Sequence, residues 1–385
     1  MKLKSFLKKN INQKTLLGIG PVSKNSVDAA IEISNNNNFP VMLIASRRQI
    51  DSKDLGGGYV NNWNTQSFSE YVLNRDKNNN IILCRDHGGP WQGSDEVSLN
   101  EADAIETAKS SFATDIECNF KLLHIDPSIN SVSETDKSTY DKVEKLLLFC
   151  DEYSKHLNLS DIIYEIGTEE QNSSIHNPDD LRVHLNKINH FCISSGIDMP
   201  IFQVVQTGTK VMEDKNIGNA SKLVNEKDKN NWLISISNLQ KVCSEYGVFL
   251  KEHNTDYLDE RLLTLRPKSG ISASNVAPEF GVYETIEIIN FLDQYNLLKH
   301  KEKFLELSFK SNKWKKWMIN KDSASDLEKA IISGHYVFGS YDFEDIMKTA
   351  VSSISKDMDY INNRLKQVLL KVMMKYIVSF KLIRL

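Results

Sequence analysis

The chain has 385 residues, of which 40% are apolar and 25% charged, and its 47 basic and 51 acidic side chains give a formal net charge of −4 at pH 7. This is the composition of a globular protein with a sizeable core; it excludes a collagen, a coiled-coil rod and a mostly disordered chain. The slight acidic balance speaks against a broad nucleic-acid-binding face, which carries a basic excess.

Charges run through the first residues, Met1-Lys2-Leu3-Lys4-Ser5-Phe6-Leu7-Lys8-Lys9, and no apolar stretch of ~7–15 residues follows, so no secretory signal is expected. No run of about 18 apolar residues occurs, so no membrane span is expected. The apolar segment 368–385 is broken by Lys371, Lys375 and Lys381 and reads as an amphipathic helix that packs on its own protein or a partner. The five cysteines, Cys84, Cys118, Cys150, Cys192 and Cys243, are odd in number and form no CxxC. A reduced, cytoplasmic protein is the simplest expectation. The asparagine runs 35–38 and 78–80 read as polar turns.

Eight short β-prone runs follow in chain order, at 16–22, 41–46, 81–87, 122–128, 162–169, 201–208, 248–256 and 270–278. Helical spacing lies between them, as in Ser67-Phe68-Tyr71-Val72, Ala104-Ile105-Ala108 and Val143-Leu146-Leu147-Cys150. Alternation of this kind implies βα units and a parallel sheet. Eight units within ~250–300 residues match an α/β fold of the (β/α)8 barrel type. An open doubly wound sheet is the alternative, but its first turn usually carries a glycine-rich fingerprint, and Gly18-Ile19-Gly20-Pro21-Val22-Ser23 has no third glycine. Beyond Asp293 the strand signal stops, which predicts a barrel over 1–298 and a helical C-terminal extension over 299–385.

In such a barrel, functional residues gather at the C-terminal ends of strands. The runs here end in Arg85-Asp86-His87, His124-Ile125-Asp126, Glu165-Ile166-Gly167-Thr168-Glu169, Gln206-Thr207-Gly208 and Glu252-His253-Asn254-Thr255-Asp256. Strand alternation sets His124 and Asp126 on one face, and Glu165 with Glu169 on one face. Buried together, such charges cost several kcal/mol each without compensation. A divalent cation, Zn or Mn, would compensate them. Singly, each has a plainer reading: Asp86-His87 a turn pair, His124 a core histidine, Glu165 and Glu169 partners of barrel lysines or arginines, Glu252 and Asp256 solvated. Their recurrence at successive strand ends favours a polar mouth. His156, His176, His184, His190 and His300 read as surface or structural, and His335 is expected to stay away from the mouth.

These motifs resemble the so-called non-catalytic subunit of class II D-tagatose-1,6-bisphosphate aldolase. The resemblance rests on Asp86-His87-Gly88-Gly89-Pro90, Gly57-Gly58-Tyr59, His124-Ile125-Asp126, Ile166-Gly167-Thr168-Glu169, Val205-Gln206 and His253-Asn254-Thr255-Asp256-Tyr257, in order along the barrel, with Trp314-Lys315-Lys316 beyond it. That family is similar to the metal-dependent class II aldolases. The resemblance implies Asp86 as a catalytic acid, and His87 and His253 as metal ligands, with Gln206 where a third histidine would stand. Glycine-rich phosphate-binding turns after the seventh strand are missing: Asn254-Thr255-Asp256-Tyr257 carries an acid that would repel a phosphate. A phosphate would have to bind elsewhere, for example near Arg47 and Arg48.

The implied activity is aldol cleavage of a ketose or ketose phosphate, or retro-aldol epimerisation at C4. Asp86, Asp126 and Glu169 are the expected catalytic groups. Ser46, Arg47, Gly58, Tyr59, His124, Glu165, Asp256 and Asn275 are the expected substrate contacts. The alternatives are a non-catalytic partner that stabilises a separate class II aldolase subunit, and a sugar-binding barrel without chemistry. A homo-oligomer is expected, with neither nucleic acid nor membrane as partner.

Overall fold

The computed structural model describes residues 3–129, 136–167 and 174–383. Its centre is a closed parallel barrel of eight strands: β1 (Leu16–Ile19), β2 (Val41–Ser46), β3 (Ile81–Gly88), β4 (Leu122–Ile125), β5 (Ile163–Ile166), β6 (Phe202–Val204), β9 (Phe249–Glu252) and β10 (Ala273–Val276), with β10 closing onto β1. All eight sequence runs therefore become barrel strands. A two-stranded antiparallel hairpin, β7 (Val211–Met212) and β8 (Lys215–Asn216), sits in the loop after β6 and had no clear sequence signal.

The strands are buried on both faces, so they read as near-continuous apolar runs rather than alternating ones. Leu16, Leu17 and Ile19 of β1 and Val41 to Ala45 of β2 are almost wholly buried. The register is regular from Val41↔Ile81 to Ser46↔Asp86, then shifts between Arg85 and Gly88 where β3 meets β4.

The barrel helices are α2 (Lys24–Asn37), α3 (Thr65–Leu73), α4 (Glu101–Glu117), α5 (Asp136–His156), α6 (Pro178–Ser195), α7 (Glu226–Glu245), the short pair α8 (Glu260–Leu263) and α9 (Leu265–Ser269), and α10 (Pro278–Gln294), while α1 (Leu3–Asn10) precedes β1. Polar caps start them: Ser23 and Asn64 make capping boxes, and Asn100, Asn177 and Asn225 each accept from an early helical amide. The asparagine runs serve the same local ends. Asn38 leaves α2 at φ 51°, and Asn79 turns at φ 52°.

After α10 come α11 (Leu298–Lys310), α12 (Asp326–Ser333), α13 (Tyr341–Ser353) and α14 (Met358–Ser379). Phe304, Phe343, Met347, Ile361 and Leu365 form a second core with Ile288, Phe291 and Leu292 of α10. The expected amphipathic tail is α14, and it lies against α2 and α10. Its Leu369, Met373, Tyr376 and Ile377 join the barrel core itself. Two 3-10 turns of this extension, Lys313–Lys316 and Gly334–Val337, reach the barrel mouth. Among the described residues no helix is long and apolar enough to cross a membrane.

Candidate active site

Alternation along the strands sorts neighbouring charges to opposite faces. On β3, Arg85 points outward and pairs with Asp115 of α4 at 2.6 Å, while Asp86 points inward. On β9, Glu252 points outward to Arg266 at 3.0 Å, while Lys251 and His253 turn in to Glu165 of β5. His124 of β4 also faces in.

The inward set converges. Asp86, His124, Glu165 and His253, from four strands, place ligand atoms within 4.8 Å of one another, and all four are buried. His253 Nε2 is 3.1 Å from Glu165 Oε1 and 3.8 Å from Asp86 Oδ1. His124 Nδ1 is 3.6 Å from Asp86 Oδ1 and 3.8 Å from Glu165 Oε1. A second group, His87, His124 and Asp126, shares His124. His87 Nδ1 meets Asp126 Oδ2 at 2.5 Å, and Gln92 Nε2 donates to the same oxygen at 3.0 Å. The rings of His87, His124 and His253 form a triangle with centroids 5.2–5.5 Å apart.

Local backbone makes this possible. His87 holds φ 47° at the register shift, a conformation that costs a residue with a side chain roughly 1–3 kcal/mol. A Cβ on Gly89 would meet Asp126 O at 2.0 Å, so only glycine lets the turn after β3 pass the end of β4. A Cβ on Gly167 would meet His124 Nε2 at 2.7 Å, so Gly167 leaves the space that the imidazole fills.

Charge balance shows what the site lacks. Burial pushes Asp86 up, but the neighbouring His87, with His253 and His124 beside it, outweighs burial and holds the carboxyl well below its ordinary range. Burial likewise opposes ionisation of Glu165, yet Lys251 and the two histidines bring it down to about 2. Asp126 is brought down to about 2 against burial by the hydrogen bond and charge of His87. His87 moves up to about 9, because Asp86 and Asp126 outweigh its burial. His253 moves down, burial prevailing over Asp86 and Glu165. With His87 holding its proton, the three carboxylates Asp86, Asp126 and Glu165 face two cations, Lys251 and His87, and one negative charge is left uncompensated; loss of the His87 proton on metal binding would leave two. A divalent cation matches that deficit, and the imidazole and carboxylate donors suit one. Among the described residues His124 Nε2 is buried without a partner, a further sign of a site tuned for something besides stability.

The site opens into a cavity of about 570 Å³, within the usual range for small-molecule sites. Of the sequence-predicted residues, Ser46, Gly58, Tyr59, Asp86, His87, His253, Asp256 and Asn275 line it. His124, Asp126 and Glu165 stand directly behind, through the contacts above. Arg47 turns the other way: it is buried against Asp51 (2.9 Å), Glu96 and the Gly89 carbonyl, and its neighbour Arg48 lines the cavity instead. Gln206 is buried at the end of β6, where its backbone N–H donates to His176 Nδ1 at 3.3 Å, and it is not among the cavity-lining residues. The third imidazole beside His87 and His253 is His124. Glu169 lies outside the described residues.

Asp256 is not solvated. It is buried, its Oδ1 accepts from the amides of Ala277 and Glu279 at the start of α10, both at 3.0 Å, and burial with the Glu279 charge pushes it up to about 7. His335, expected away from the mouth, lines the cavity, as do Lys313, Lys315, Lys316, Trp317 and Tyr336. Lys251 was also missed, although it lies two residues before His253 and so on the same strand face. The extension residues carried no local signal, since only the tertiary return of the chain brings them there.

No protein-family model matches the chain, and no curated protein matches it. Solved structures do. A probable tagatose 6 phosphate kinase from Sinorhizobium meliloti 1021 is 16% identical with a TM-score of 0.70, covering 95% of this chain and 100% of its own. The fructuronate-tagaturonate epimerase UxaE from Cohnella laeviribosi is 9% identical with a TM-score of 0.58, covering 95% and 81%. The fructose-bisphosphate aldolase of Campylobacter jejuni is 12% identical with a TM-score of 0.56, covering 99% and 94%. At these identities the likeness establishes a shared fold, a (β/α)8 barrel found in proteins named as an aldolase and as a ketose epimerase, in line with the resemblance read from the motifs.

Proposed function

We propose that this chain is a divalent-metal-dependent enzyme that makes or breaks the C3–C4 bond of a ketose or ketose derivative, by aldol cleavage or by retro-aldol epimerisation at C4. One observation carries the reading: four donors from four strands, Asp86, His124, Glu165 and His253, converge beside a cavity at the C-terminal end of the barrel. The aldolase and epimerase names among the structural neighbours support it.

Those four residues, together with His87, are the ligand candidates. When bound, Zn or Mn would supply a Lewis acid for the ketose carbonyl. The chain's own residues do the rest. His87 Nδ1 and Asp126 Oδ2 hold a proton between them, with Asp86 Oδ2 3.8 Å from the other ring nitrogen. This pair and Asp86 move the proton of the C4 hydroxyl as the bond breaks and re-forms. Asp256, pushed up to about 7, is a second cavity carboxyl able to exchange a proton near neutrality. Asn275, whose amide donates to Asp86 Oδ1 at 3.2 Å, orients that carboxylate. Glu169 keeps its proposed role as a further base or ligand.

Metal analysis of the purified protein tests the reading. About one Zn or Mn per chain is expected, lost from His87→Ala and His253→Ala. A protein that holds no metal and takes none up would overturn it in favour of the partner-subunit alternative. For the epimerase form, reaction in D₂O should leave C4 unlabelled, because the C4–H bond never breaks; deuterium at C4 would rule out the retro-aldol route.

A further inference from the structure

The cavity wall carries two sets of charged groups. Asp86, His87 and His253 come from the ends of β3 and β9. Arg48 comes from the turn after β2, and Lys313 and Lys316 from a 3-10 turn of the extension. Enclosure by the cavity walls and the charges of Arg48 and Lys313 push the Lys316 ammonium down to about 8. The three cations therefore crowd one another. Among the described residues no carboxylate lies within 4.0 Å of any of their nitrogens, and this includes Asp95, which also lines the cavity.

The crowding is built in. Lys316 Nζ lies 4.5 Å from the centre of the Trp317 ring and 5.7 Å from that of Tyr336, and Trp317 Nε1 donates to the Tyr336 hydroxyl at 2.9 Å. The Trp317 carbonyl accepts from the Glu213 amide at 2.9 Å, which ties the turn to the hairpin after β6. Like charges gathered without acid partners raise the potential of a cleft and attract a ligand anion.

The competing anion position on the cavity wall is already taken. A helix N-terminus attracts anions, but at α10 the Asp256 carboxylate occupies the Ala277 and Glu279 amides. A phosphate brought there would meet a carboxylate rather than open donors.

We infer that Arg48, Lys313 and Lys316 form the subsite for a terminal oxyanion, phosphate or carboxylate, on an open-chain ketose whose carbonyl end lies at the histidine and carboxylate cluster. This rests on the ketose reading above and adds to it that the C-terminal extension, not the barrel loops after β9 and β10, selects the charged end.

The test is calorimetric titration of the full Mn-loaded chain with D-tagatose 6-phosphate, D-tagaturonate and D-tagatose, repeated on Arg48→Gln and Lys316→Gln. Both residues face the cavity with access to solvent and belong to no packed core, so both variants should fold. At least one anionic ketose is expected to bind roughly tenfold or more tightly than neutral D-tagatose, as charge-assisted hydrogen bonds predict. That preference should shrink to about twofold or less in the variants. The tighter of the two anions identifies the group as phosphate or carboxylate. Equal binding of all three sugars, or a preference that survives both substitutions, would overturn the subsite. Failure of the metal reading is separable. In the metal-free chain, inorganic phosphate should still bind the wild type roughly tenfold more tightly than R48Q, and equal binding there would also overturn the inference.

Discussion

Arg85 and Asp86 are consecutive residues, as are Glu252 and His253, yet they belong to two different electrostatic worlds. On the outer face of the barrel the charges are matched. Arg85 makes a two-pronged pair with Asp115 and donates to the carbonyls of Ala45 and Ile50. Glu252 accepts from Arg266, Ser274 and Thr207. One acid meets one guanidinium, and the product is a strand fixed to its helix. On the inner face acids outnumber ammonium groups, and His87 sits in a strained backbone conformation. The difference teaches that burial of charge does not mark a site; imbalance of buried charge does.

The largest expected effect comes from unbalancing the outer face. Asp115→Ala leaves Arg85 buried without its carboxylate and should cost about 3–5 kcal/mol in urea unfolding. His253→Gln, on the inner face, should change stability by no more than about 1 kcal/mol, because the imidazole it removes is held neutral and no charge is stranded. A loss as large as that of Asp115→Ala would erase the distinction.

A finer probe leaves every charge in place. Gly167→Ala forces a methyl against His124 Nε2 and should weaken metal retention by roughly 10–100-fold, as disturbed ligand orientation does elsewhere. Unchanged metal affinity would remove His124 from the ligand set.

The smallest effect is in pH. His87 binds its proton more tightly folded than unfolded, so in metal-free protein its contribution is complete below about pH 6.5 and is lost as pH rises through about 9. Asp126 and Glu165 behave in the opposite sense. Their contribution is present above about pH 4 and is lost as pH falls through about 2. His87→Gln should flatten the alkaline fall, seen by thermal unfolding from about pH 6.5 to about 9, and should also reduce the acid-side contribution of Asp126, whose carboxyl His87 holds down. A wild-type slope in the variant would assign that fall to another group.

Much of the barrel was legible because strands buried on both faces leave unbroken apolar runs, and their polar ends stand out. Two-residue alternation then set His124 with Asp126 on one face, while Asp86 and His253 stood out by their position at strand ends. The plainer reading of Glu165, a partner for a barrel lysine, is also true: Lys251 pairs with it at 2.5 Å. Arg47 and Arg48 illustrate the limit. They occupy a turn after β2, where the strand period no longer applies, and adjacent arginines go to opposite fates. His335 and Lys316 show a different limit. They reach the cavity through packing of Trp314, Met318 and Ile332 on Val282 of α10, a long-range event without a local pattern.

The way α14 returns to the barrel bears on how the molecule is made. The amide of Thr15, just before β1, donates to the carbonyl of Phe380, and Lys14 Nζ donates to that of Leu382. The base of the barrel thus joins residues from opposite ends of the described chain. Such distant pairing slows folding, and during synthesis the first strand has to wait for α14 to leave the ribosome. Nascent chains that stop short of α14 would present an open apolar base to chaperones, and closure of that base should be gated by synthesis of α14 rather than proceed strand by strand.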